Sequence, residues 1–155
     1  MANADNERDV DDEFRSILEG LRTTLPGVQV LFAFLLVLPL QAAFAEIGDV
    51  ERFAYYVAFF GSAMASVLLI APSAHQRLRA PITGVERHSE RHLRMTISVT
   101  IAGTIIFAIS LAAAVFLISN LTLRDDSVAV VATLAVAIVI AWSWFYVPLV
   151  TFQRQ

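Results

Sequence analysis

The chain has 155 residues, 57% of them hydrophobic and 16% charged, with a formal net charge of −3 and no cysteine. So apolar a composition excludes an ordinary soluble domain and implies one membrane domain. The lack of cysteine excludes disulfide staples, thiolate catalysis and cysteine-ligated metal.

Residues 1–9 are polar, rich in charge and without period, and are expected to be disordered. From Val10 the pattern changes. Val10, Phe14, Ile17, Leu18, Leu21 and Leu25 recur at helical spacing, so residues 10–24 form an amphipathic helix that should end before Pro26. Two uses fit it, lying on the cytoplasmic membrane surface or docking on a protein. No short apolar stretch follows a basic start, so the first span is expected to be retained rather than cleaved.

Residues 25–45 carry no charge, and a hydrocarbon core of about 30 Å takes roughly 20 helical residues. A span over 28–45 follows. Pro39 removes a donor and clashes with the carbonyl four residues back, which predicts a kink near Leu35 and a neighbouring helix that serves the freed oxygen. Gln29 and Gln41 are the amides of this run, and Glu46 is a carboxylate at its outer end.

Residues 46–52 read as a short hairpin loop, with Asp49 as a helix cap. The second span, 53–71, opens on Tyr55 and Tyr56 at the level of an aromatic belt and is expected to stop at Pro72. Gly61 with Ala65, and Ser62 with Ser66, give the small-xxx-small spacing that lets helix backbones close on one another, within the chain or between two copies. A cytoplasmic connection over 72–94 carries Arg77, Arg79, Arg87, Arg91 and Arg94 against Glu86 and Glu90. Thr83 and Glu86 fit a capping box, so a helix should begin at Gly84 and run to Asn120, its first turns projecting before the third span at 95–119. The turn at 121–127 offers Asp126 or Ser127 as a cap. The fourth span, 128–150, sets Ala129, Thr133, Ala137 and Ala141 four residues apart and ends on the anchors Trp142, Trp144 and Tyr146.

Arginine counting orients the chain. Nine of the eleven arginines fall on the side of the termini and the long connection, and only Arg52 and Arg124 on the other. The positive-inside rule therefore predicts both termini in the cytoplasm. The fold expected is all-α, an integral four-helix bundle of the cytoplasmic membrane preceded by an amphipathic cytoplasmic helix.

No ionisable residue lies inside the four spans as drawn. Ion-coupled transporters usually place such a group at membrane depth, so Gln29, Gln41 and Glu46 are the only polar positions to test for transport. His88 and His92 stand at i and i+4, a spacing that can ligate zinc, and His75 could join them; packed histidines explain the pattern more simply, and no metal or other cofactor is expected. The arginine cluster suits anionic lipid headgroups or a protein partner. Nucleic acid is excluded because acids are interspersed and aromatic residues are not. Without a nucleophile beside a base or a phosphate loop, an enzyme is not expected. The reading favoured is an accessory or scaffolding subunit that associates by helix packing, as a homo-oligomer or with another membrane protein.

Three blocks, LEGLRTTLPGVQVLFAFLLVLPL from Leu18, DVERFAYYVA from Asp49 and APSAHQRL from Ala71, resemble a family of small bacterial four-helix membrane proteins of unknown function. The likeness covers residues 14–94, and the last two spans by hydropathy alone. It implies that Gly27, Gln29, Pro39, Pro72 and His75 belong to the family pattern. Names given to such proteins sometimes suggest sodium/proton antiport, which makes a small cation transporter or channel, working as a homo-oligomer, the alternative.

Overall fold

The computed structural model describes residues 2–83, 90–147 and 150. Four long helices account for nearly all of them: α1 (Ala2–Val37), α2 (Asp49–Thr83), α3 (Glu90–Leu123) and α4 (Asp126–Ile140). No strand occurs among the described residues. The stretches Asp12–Leu40, Asp49–His75, Leu93–Leu123 and Asp126–Trp144 are each long and apolar enough to cross a bilayer, which fits a multi-pass membrane protein.

Helix α1 departs from expectation at both ends. It is helical from Ala2, where the sequence suggests disorder over 1–9. It then passes through Pro26 without a break. Packing on both sides of the proline explains this. Phe14 is wholly buried against Leu93, with Ile17, Leu18 and Ile97 around them. Beyond the proline, Val28 joins Leu21, Ala65, Leu69 and Phe107 in one cluster. The amphipathic half of α1 is therefore docked on helices of its own chain, while Pro26 itself faces outward.

At Pro39 the helix stops instead of kinking. The α-helix ends at Val37, and two 3-10 turns, Leu38–Leu40 and Ala42–Glu46, carry the chain onward. Pro39 has no N–H to give the carbonyl of Leu35, and the Tyr55 hydroxyl of α2 donates to that oxygen at 3.2 Å. A neighbouring helix thus serves the orphaned acceptor as the sequence requires, and Leu35, Tyr55, Ala58, Ala114 and Leu117 pack around the bond.

Helix α2 likewise runs past Pro72, expected to end it, as far as Thr83. Pro72 is fully buried, so its ring packs inside the fold and helps hold the turn that lacks its N–H. Of the capping box, Thr83 is the last residue of α2, and Glu86 lies outside the described residues. At its other end α3 passes Asn120 and continues to Leu123. Asn120 is buried and donates from Nδ2 to Asp126 Oδ1 at 2.6 Å, tying the end of α3 to the start of α4. Arg124 takes a left-handed φ of 51° to reverse the chain, and its N–H closes on the Asn120 carbonyl at 2.8 Å. The cap of α4 is Asp125 rather than Asp126 or Ser127: its Oδ1 accepts from the N–H groups of Ser127 (2.9 Å) and Val128 (3.3 Å).

The helices pack in series. The most extensive contact is α2 on α3; α1 lies chiefly on α2, and α4 on α3. The three clusters of buried apolar residues draw on α1, α2, α3 and the turns after α1, and take nothing from α4. After Ile140 the chain widens into a π-helical turn, Ala141–Tyr146, in which the Val147 N–H reaches the Trp142 carbonyl.

Candidate functional site

The residues singled out by sequence fall into three places. The first is the contact between α2 and α3. Ala58, Ser62, Ala65 and Leu69 form a fully buried stripe on α2. Glycines set the spacing: a Cβ placed on Gly61 would overlap the Ser110 hydroxyl, and one on Gly103 would lie 2.9 Å from Leu69 Cδ2 and 3.2 Å from Leu68 Cβ. The small-residue face is therefore occupied by α3 of the same chain. Its hydroxyls bond to their own helices, Ser62 to the Phe59 carbonyl at 2.9 Å, Ser66 to Ser62 at 2.9 Å and Ser110 to Ile106 at 2.9 Å. Thr104 and Thr133 do the same, at 2.9 and 2.7 Å. Thr100 is the exception. Its Oγ1 is buried with no hydrogen-bond partner among the described residues, and sequence alone gives no signal of this.

The second place is the end where the turns meet. A cleft of about 310 Å³ opens between the turn after α1 and the α3–α4 reversal, lined by Glu46, Glu51, Asn120 and Arg124 among others. Arg124 and Glu46 form an ion pair at 3.6 Å, with side chains 83% and 77% exposed, so water screens it and it contributes little to stability. Glu46 is thus solvated, beyond the end of the apolar stretch Asp12–Leu40.

The third place is the opposite end, where α2 and α3 extend past their most apolar stretches. Arg77, Arg91 and Arg94 are exposed there, as is His75. Arg87, His88 and the side chains of Arg79 and His92 lie outside the described residues; the backbone of His92 belongs to the first turn of α3. Among the described residues, no three His, Asp or Glu side chains gather closely enough to hold a metal ion.

Gln29 and Gln41 are both exposed and are not brought together. On α4, Ala129 is buried, Thr133 and Ala137 are half-buried and Ala141 is exposed, so the alanine row is used fully only at its start. Trp144 stacks on Phe107, ring centroids 6.1 Å apart, while Trp142 and Tyr146 stay exposed.

Comparison with curated proteins and with solved structures finds no match. A family model does match, and it extends past Arg94 through the third and fourth apolar helices, which the three sequence blocks reach only by hydropathy. It covers residues 3–148, and the chain belongs to the family of unknown function DUF6328.

Proposed function

We propose that this chain is a four-span protein of the cytoplasmic membrane, with both termini and the arginine-rich end in the cytoplasm, acting as a non-enzymatic accessory or scaffolding subunit. The observation that carries the reading is the division of labour among its side chains. The hydroxyls of Ser62, Ser66, Thr104, Ser110 and Thr133 bond within their own helices. Large apolar side chains face outward along the spans, among them Val30, Phe60, Val67, Val131, Leu134 and Ile138. Charge collects at the two ends. Surfaces of this kind suit lipid and neighbouring helices better than they suit a path for ions, and the arginines suit anionic headgroups at about 1 kcal/mol each. The small faces of α2 and α3 are already filled, so a partner docks on the outer faces of α1 or α4.

Native mass spectrometry of the protein, extracted gently from its own membrane, tests this. A second polypeptide at fixed ratio is the expected result. Particles of this chain alone that also carry sodium or protons across liposomes would contradict it in favour of a small cation transporter. Gln29, Gln41 and Glu46 would then be the positions to substitute.

A further inference from the structure

Gln29 is a polar residue for which the fold supplies no partner. It is exposed on α1, and its carboxamide has no hydrogen-bond partner among the described residues. Its neighbour Val28 is buried with Ala65 and Leu69, residues within the apolar run of α2. Val37, the last residue of α1, lies eight residues farther on, about 12 Å along the axis. The amide therefore stands inside the apolar stretch and faces outward. An amide moved from water into hydrocarbon without a partner is strongly penalised, and in membrane helices such groups instead bridge to another helix. The surroundings fit a helix partner. Pro26, Gln29, Ala33 and Leu36 are all exposed and follow one another at intervals of three, four and three, the spacing of a left-handed helix–helix seam. Ala33, small and next along the seam, allows the close approach that a short amide bridge needs.

Resting on the membrane-spanning part of the reading above, we propose that the occupant of this seam is a second copy of the chain, packed α1 against α1 about a two-fold axis normal to the membrane. A carboxamide carries both a donor and an acceptor. Two copies inserted in the same orientation hold Gln29 at the same depth, so each Nε2–H donates to the other's Oε1, and the same patch serves both subunits. The complementarity lies in the residue itself: an identical helix supplies what Gln29 lacks without a further polar group.

The chain has no native cysteine, so a single Ala33→Cys substitution in the full-length protein reports on the seam directly. In native membranes treated with a mild oxidant, Ala33→Cys is expected to give a disulfide-linked dimer. The control Val131→Cys, on the exposed face of α4, is expected to stay monomeric. In liposomes of phosphatidylethanolamine and phosphatidylglycerol, Gln29→Leu should weaken dimerisation roughly tenfold, and Gln29→Asn, which keeps the carboxamide, should weaken it less. The inference is overturned if Ala33→Cys links to a different polypeptide, or if the chain is monomeric, or if Gln29→Leu dimerises like the parent. Alkaline carbonate washing of the same membranes separates the two levels. A chain released by the wash removes the membrane reading and the dimer together, whereas one that resists it but runs as a monomer removes the dimer alone.

Discussion

Helix α3 packs most extensively on α2 and α4, and it meets the two in different ways. Against α2 it interlocks: Gly103 admits Leu69, Gly61 admits the Ser110 hydroxyl, and the stripe Ala58, Ser62, Ala65 and Leu69 is fully buried. Against α4 the buried residues are Ala129 near one end and Ile140 near the other, and most of the valines and leucines between them face outward. Hydropathy does not distinguish the two partners, since the best windows of α2 and α4 average 1.9 and 2.2. In lipid, apolar surface is no reason for two helices to associate, because the acyl chains offer the same contact. Close backbone approach is what selects α2 as the partner of α3. It follows that α1, α2 and α3 form the stable unit and that α4 is the helix most easily displaced.

The sharpest break in that comparison is Gly103→Leu. The new side chain meets Leu68 at its Cβ, which cannot rotate away, so a loss of about 3 kcal/mol is expected in unfolding by sodium dodecyl sulfate from mild detergent. Enlarging α4 with Ala137→Leu, at a half-buried position on the face of Ala129 and Ile140, should cost clearly less, about 1 kcal/mol. Equal losses would mean that the two interfaces are alike.

A smaller effect sharpens the other side of the α2 contact. Tyr55→Phe removes the donor to the Leu35 carbonyl and should cost about 1–2 kcal/mol. In a Pro39→Ala background the residue at 39 regains an N–H, so the same Tyr55→Phe change should cost clearly less. A double-mutant cycle without such coupling would show that the hydroxyl does not answer the proline. The smallest effect has the opposite sign. Thr100→Val removes an unpartnered buried hydroxyl at almost constant shape, and the variant should be as stable as the parent or slightly more so.

The four apolar helices, and the closeness that Gly61 and its neighbours demand, are readable from hydropathy and small-residue spacing, because both are local. Three features are not. Pro26 and Pro72 read as helix ends, yet both lie inside helices, because tertiary packing on either side outweighs one missing hydrogen bond. Pro39, with the same local chemistry, does end its helix. The amphipathic pattern of residues 10–24 states that a face must be covered but not by what, and the cover is Leu93 and Ile97, some 80 residues away in sequence. Asp125 rather than Asp126 caps α4 because the left-handed turn at Arg124 fixes where the helix can begin. At the level of sites, spacing made a pair of His88 and His92 and a packing face of Gly61. Gly61 packs against Ser110 of α3, whereas His88 and the side chain of His92 lie outside the described residues.

Four crossings with both ends on the arginine-rich side is the claim on which the functional reading depends, and cysteine accessibility in intact cells tests it most directly. With a maleimide that cannot cross membranes, Val50→Cys, exposed at the start of α2, should label from outside. Arg91→Cys, exposed in the first turn of α3, should label only after the cells are opened. Labelling of Arg91→Cys in intact cells with protection of Val50→Cys would reverse the orientation, and labelling of both would contradict a membrane crossing between them.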